Sequence, residues 1–183
     1  MAADIALYVY SLRENEIIEK TVSCFLNRLI LIFKKRFVRI ISEKSKVSKK
    51  ASIAENVQII TDETSNVIID DNVVISNGSV IIATDNSTVH IGEQSCIGRD
   101  NIIRADSNSQ VIIGQRSVIG NNNHIVSNFY SHICLEKENY FGVNGKINSI
   151  RNSQVLLKQK CSVGDMCVIG GNDTGNIIIG DRT

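Results

Sequence analysis

Apolar residues recur along this chain at intervals of six, six and ten. Counting in steps of 22 through Ile113 gives Val47, Ile69, Ile91, Ile113, Leu135, Leu157 and Ile179. Six residues after these come Ile53, Ile75, Ile97, Ile119, Phe141 and Val163, and six further on Ile59, Ile81, Ile103, Ile125, Ile147 and Ile169. All nineteen positions are apolar and fourteen are Ile, in a chain that is 43% hydrophobic overall, so chance does not hold the register. A six-residue step with β-branched anchors predicts a short strand and a turn, whereas a helix would repeat at three and four. Three steps per coil predict three flat faces and a triangular prism of stacked coils, each strand pairing in parallel with its equivalent one coil away. The extra four residues of the third step are expected to bulge out as a loop at one corner.

Neighbouring columns support the same object. Val67, Val89, Val111, Ile133, Val155 and Ile177 lie two residues before the first anchor and share its inward face by alternation. Gly98, Gly120, Gly142 and Gly164 follow the second anchor, where a corner with positive φ is expected. A serine column runs through Ser65, Ser87, Ser109, Ser131 and Ser153. Beside it Asn66, Thr88, Gln110, His132, Gln154 and Asn176 are expected to hydrogen-bond from coil to coil.

Before the prism the period changes. Between residues 13 and 42, Ile18, Val22, Phe25, Leu29, Ile32 or Phe33, Phe37 and Ile40 follow helical spacing, and Lys34, Lys35, Arg36, Arg39, Lys44, Lys46, Lys49 and Lys50 crowd its end. Two domains are therefore expected: residues 1–46, a helical, basic amphipathic segment, and residues 47–183, the β-solenoid. The helix either covers the open first coil, as terminal repeats do, or lies on an anionic membrane surface through residues 13–50.

Charge sharpens this division. The net charge of +1 is the sum of an excess of six positive charges in residues 1–50 and of five negative charges in the remainder. So local a positive end argues against a nucleic-acid-binding surface over the whole domain. Cys24, Cys96, Cys134, Cys161 and Cys167 form no C-x-x-C pair, and no secretory signal precedes them, which points to reduced thiols and a cytoplasmic protein, peripheral to the inner face of the membrane if the second helix reading holds. No run approaches the roughly 18 apolar residues of a membrane span.

The phrases "HIGEQSCIGRDNIIRADSNSQVIIGQRSVIG" and "VLLKQKCSVGDMCVIGG" resemble the hexapeptide-repeat acyltransferases, and among them the bacterial polysaccharide and sugar O-acetyltransferases. The resemblance covers residues 47–183. It implies a left-handed parallel β-helix, so that the whole chain is expected to be all-β with an N-terminal α-helical segment. It further implies a homotrimer with active sites between subunits, and transfer of acetyl from acetyl-CoA to a hydroxyl of a sugar or polysaccharide acceptor. In that chemistry a histidine takes the hydroxyl proton and hydrogen-bond donors hold the developing oxyanion. No metal is needed, and the sequence holds no metal-ligand cluster.

The family's base lies in a loop similar to I-R-T-G-D-S-H-S-I, which "IVSNFYSHI" (residues 125–133) resembles, followed by "NGKIN" (residues 144–148). The resemblance thus makes His132 the general base. His124 and then His90 are lesser candidates: each precedes an inward anchor and so points outward, where a solvated surface histidine is the default. A solely structural role for His132, as one rung of the polar column, stays open. The Asp that precedes the family's base is replaced here by Phe129 and Tyr130. Cys161 sits at an inward small-residue position and is expected in the core rather than as a nucleophile.

Two further departures bear on function. Lys160 and Ser162 stand where the family often has His and Trp. The chain also stops at "IIIGDRT", on the first strand of a new coil, with no proline anywhere, whereas the family continues into further coils and a proline-containing tail that helps hold CoA. The expectation is an O-acetyltransferase, shortened at its C-terminal end, or alternatively a non-catalytic β-helix scaffold or assembly module. An amino-acid acetyltransferase is a third class, and lacks here the long helical N-terminal domain expected of it.

Overall fold

The computed structural model describes residues 39–41 and 45–183. Within them the chain forms twenty short strands, numbered β1–β20 in chain order, and every strand pairing is parallel. They make three sheets, the faces of a parallel β-solenoid. Face A stacks β1 (Arg39–Ile41), β4 (Gln58–Thr61), β7 (Val80–Ala83), β10 (Ile102–Asp106), β13 (His124–Asn128), β16 (Lys146–Ile150) and β19 (Val168–Asn172). Face B stacks β2 (Lys46–Val47), β5 (Asn66–Ile69), β8 (Thr88–Ile91), β11 (Gln110–Ile113), β14 (His132–Leu135), β17 (Gln154–Leu157) and β20 (Asn176–Ile179). Face C holds the two-residue strands β3 (Ser52–Ile53), β6 (Val74–Ile75), β9 (Cys96–Ile97), β12 (Val118–Ile119), β15 (Tyr140–Phe141) and β18 (Ser162–Val163).

Register follows the 22-residue period, with Ile91, Ile113, Leu135, Leu157 and Ile179 in one column of face B. All nineteen anchors point inward. Fourteen are buried, and Val47, Ile53, Val163, Ile169 and Ile179 are partly buried against them. Burying an aliphatic side chain is worth about 1.5–3 kcal/mol, so this column structure is the main source of stability.

The ten-residue step is not a bulging loop. Its extra residues lengthen the strands of faces A and B, with small inward residues Thr61, Ala83, Ala105, Ser127 and Ser149 following the third anchor. The corner between these faces is then turned by two consecutive residues at positive φ: Asp85–Asn86, Ser107–Asn108, Phe129–Tyr130, Arg151–Asn152 and Asp173–Thr174. The other two corners use one such residue each, for example Arg116 and Asn122 in a single coil.

Gly98, Gly120 and Gly142 have a different reason from the one expected. Positive φ falls on Gly78, Asp100, Asn122 and Asn144 instead. A Cβ on Gly120 would lie 2.5 Å from the carbonyl oxygen of Gly142, so close stacking of backbone between coils excludes any side chain there.

The serine column is a buried ladder, in which Ser87 N–H donates to Ser65 Oγ at 3.1 Å, Ser109 N–H to Ser87 Oγ at 3.0 Å and Ser153 N–H to Ser131 Oγ at 3.2 Å. Equivalent ladders run inside the other corners, through Ser79, Asn101 and Asn123 and through Ser95, Ser117 and Asn139. The outward polar column through Gln110 and His132 forms no such side-chain bonds among the described residues. Backbone amides at the corners need partners, and the buried hydroxyls and amides supply them in place of the solvated column.

The expected helix in residues 13–42 lies outside the described residues except for Arg39–Ile41, which pair with β4 as a strand. Paired structure therefore begins N-terminal to the boundary expected at residue 46. No helix long and apolar enough to cross a membrane occurs among the described residues.

Candidate functional site

Strand alternation decides which side chains are available for chemistry. In β14 the inward positions are Ile133 and Leu135, so His132 and Cys134 point outward on face B. His132 is exposed, its backbone N–H donates to Ser153 O at 3.0 Å, and it stands in register between Gln110 and Gln154. His124 opens β13 on face A, outward and exposed, between Ile102 and Lys146. Among the described residues neither ring forms a hydrogen bond, which leaves both free to meet a substrate.

The two histidines are not brought together. Five residues of strand at about 3.3 Å each put about 16 Å between the backbone of His124 and the corner at Phe129, and His132 lies beyond that corner on another face. They cannot serve one reacting centre within one chain.

His90 is different. It points outward from β8, and its Nε2 lies 2.8 Å from Asp70 Oδ2 of the preceding coil. A carboxylate that orients an imidazole is the arrangement a general base requires. The pair stands beside an open cleft of about 540 Å³ lined by Lys46, Ser48, Asp70, Asp71 and Glu93 among others. There Asp71 accepts from Ser48 Oγ at 2.5 Å and from Lys50 Nζ at 2.7 Å. These bonds hold the Asp71 carboxyl below its usual range, with the Lys50 contact the larger cause. Asp70 was not among the residues the sequence singled out. Its signal is the offset of 20: in a 22-residue coil, a residue 20 positions earlier is a diagonal neighbour on the adjacent strand.

Cysteine chemistry is disfavoured at Cys134 and Cys161. Cys134 shares the outward face with His132, but burial raises its thiol pKa and the charge of Glu136 adds to the rise, so it stays protonated. Cys161 is buried in the core, as expected from its inward position. The four cysteines among the described residues carry no disulfide. No group of three or more potential metal ligands is found among them either.

One coil below the corner that leads to His132, face A carries an ion pair on β10. Arg104 Nη2 donates to Asp106 Oδ2 at 2.6 Å, and Thr84 Oγ1 to Asp106 Oδ1 at 3.1 Å. Burial pushes the Asp106 carboxyl up, but the Arg104 and Thr84 bonds outweigh it and hold the group below its usual range. Asp85, one coil below, is raised chiefly by the neighbouring Asp106 carboxyl. Beyond Asp106 the same outward column continues through Asn128 and Ile150. Phe129 and Tyr130 then turn the corner, 51% and 60% exposed.

No protein-family model matches the chain, and no curated protein matches it. Among solved structures it is similar to a mutant perosamine N-acetyltransferase of Caulobacter crescentus in complex with CoA and GDP-perosamine, at 14% identity over 84% of this chain and 62% of that one, with a TM-score of 0.31. It is similar also to the acetyltransferase domain of PglB from Neisseria gonorrhoeae in complex with acetyl coenzyme A, at 17% identity over 86% of this chain and 64% of that one, TM-score 0.29. A third is the UDP-N-acetylglucosamine acyltransferase of Francisella novicida, at 16% identity over 75% and 62%, TM-score 0.29. The chain spans less than two thirds of the length of each. At such identities and TM-scores the function rests on the residues of the site itself.

Proposed function

We propose that the chain is an acyltransferase of left-handed β-helix type, moving acetyl from acetyl-CoA to a hydroxyl of a surface-polysaccharide sugar, with His132 as general base. The observation that carries the reading is the placement of His132. It is an exposed imidazole without a hydrogen-bond partner among the described residues, just past a corner, within the "IVSNFYSHI" phrase that resembles the family's base loop. In the reaction the imidazole takes the acceptor hydroxyl's proton as that oxygen attacks the thioester carbonyl. The C–S bond then breaks and the proton leaves with the thiol of CoA. Positioned bases of this kind contribute about 10²–10⁴-fold.

One chain presents His132 on an open sheet face, whereas acyl transfer needs water excluded from the reacting centre. A second subunit supplies the missing wall in the expected homotrimer. The outward column of face C supports such packing, because Val74, Cys96, Val118 and Tyr140 make it apolar or exposed-thiol over four consecutive coils, with Val74 41%, Val118 40% and Tyr140 44% exposed. The same reading puts the reaction in the cytoplasm, and at the inner face of the membrane if residues 13–50 lie on an anionic surface rather than over the first coil.

A second reading rests on the 2.8 Å contact between His90 and Asp70 at the cleft. There the oriented imidazole is His90 and the acceptor occupies the cleft. Thiol-trapping of CoA released from acetyl-CoA, with a panel of sugar acceptors, separates the two. Loss of turnover in His132→Ala with His90→Ala intact supports the first reading, and the reverse supports the second. Turnover that survives both substitutions removes both, and absence of acetyl-CoA binding returns the chain to the scaffold class.

A further inference from the structure

Five coils turn the corner between faces A and B with two residues at positive φ, and four of the five pairs are small or polar: Asp85–Asn86, Ser107–Asn108, Arg151–Asn152 and Asp173–Thr174. The exception is Phe129–Tyr130, with φ of 54° and 60°. Bulky aromatic residues seldom occupy this region, which Asn and Asp tolerate far better. Nor does burial compensate, since both rings are more than half exposed. Backbone contacts hold the turn in place: Tyr130 N–H donates to Ser107 O, and Phe129 O accepts from Asn152 N–H, each at 2.9 Å. Two strained, solvated aromatic rings on a rigid corner cost stability and contribute nothing to the core. Such outliers are found where function retains them.

Polar side chains stand nearby. Adjacent strands of face A present Arg104 and Asn128 outward, and the Arg104 side chain is 43% exposed. A hydroxyl can accept from one such group and donate to another. On the far side of the corner stands His132, and Arg151 of the next coil is 67% exposed at its side chain.

We infer that Phe129 and Tyr130 form a stacking platform for a pyranose ring, the acceptor sugar of the reaction proposed above, on which this inference rests. The C–H face of a pyranose lies flat on an aromatic ring while its rim hydroxyls reach polar neighbours. Arg104 and Asn128 take rim hydroxyls on one side, and His132 faces another hydroxyl across the corner. The aromatic pair where the family has an Asp is then a specificity element rather than a loss.

The test uses the full chain without any acyl donor. Saturation-transfer NMR is recorded with the methyl glycosides of glucose, galactose, mannose and N-acetylglucosamine, for wild type and for Phe129→Asn/Tyr130→Asn. Asn suits the left-handed region, so the double variant is expected to melt at the wild-type temperature or above while binding its glycoside about tenfold more weakly. Equal binding by the folded variant, or no saturation transfer to any glycoside, overturns the platform. CoA release is measured in parallel. Glycoside binding that depends on the pair, in a wild-type protein that releases no CoA, supports the platform and sinks acyl transfer. CoA release with an unchanged sugar KM in the double variant sinks the platform and leaves acyl transfer standing.

Discussion

The interior of one coil offers a quantitative test of how this fold is built. At the second anchor, Phe141 replaces the Ile97 and Ile119 of the coils below it, and it is fully buried. Four residues on, Gly145 replaces Asn101 and Asn123, whose side chains bond to Gly120 O at 2.8 Å and Gly142 O at 2.7 Å. The two exceptions compensate each other: a Cβ on Gly145 would lie 2.6 Å from Phe141 Cε1 and 2.7 Å from Cζ. Gly145→Asn alone therefore drives a side chain into the ring, and overpacking of this kind costs about 1–3 kcal/mol. Phe141→Ile alone leaves a void beside a glycine and costs about 1 kcal/mol. The double variant rebuilds the Ile119 and Asn123 arrangement, in which the amide reaches the next coil's backbone. It is expected within about 1 kcal/mol of wild type, giving a favourable coupling of about 2 kcal/mol. Urea denaturation at constant m reads the cycle directly, and for a domain of this size the coupling corresponds to about 4–8 °C in Tm. Additive single effects, with coupling below about 0.5 kcal/mol, would refute the paired packing.

Three further outcomes are expected. Asp62 accepts from the backbone N–H of Asp85 at 2.6 Å and from Thr64 N–H and Oγ1 at 2.9 Å. Burial pushes its carboxyl up, but these bonds outweigh burial and hold it far below the usual carboxylate range. A depressed folded pKa stabilises fully above the unfolded value of about 4 and the contribution is lost progressively as pH falls towards the far lower folded value, so Asp62→Asn should lower Tm more at pH 7 than at pH 2.5. An equal loss at both values would contradict this. Val118→Lys, on the apolar column of face C, should shift the sedimentation velocity of a trimer towards monomer with little change in thermal stability; an unchanged oligomer would exclude that face as the contact. Deleting residues 1–37, which leaves β1 in place, should abolish flotation with anionic vesicles, and a wild-type chain that fails to float would remove the membrane reading.

Much of the fold is visible in the letters because the inward column is chemically uniform. Ile at positions such as Ile69, Ile91 and Ile113 has one physical cause, burial, and the period exposes it. The ten-residue step was harder to read, since the inward residues after the third anchor are Ala105, Ser127 and Ser149. The corner brings backbones close together and admits only small side chains, so the alternation continues without an apolar signal. The glycines after the second anchor show the same limit: close stacking and positive φ both demand glycine, and only coordinates separate them. For the site, alternation sufficed to turn His132, His124 and His90 outward. It could not supply Asp70, because that contact runs between coils. Nor could it show that Phe129 and Tyr130 occupy a left-handed corner, because four of the five pairs there are the small or polar residues any turn uses.

The central claim is that a wall of repeated strands carries an acyl-transfer centre at an outward histidine. Its most direct test is the mass of the acceptor. Incubating the full chain with acetyl-CoA and simple methyl glycosides should add one alkali-labile acetyl ester to one of them, and His132→Ala should lower the rate by about 10²–10⁴-fold. Ester formed undiminished by the variant, or no acetylated glycoside from the wild-type protein, would contradict it.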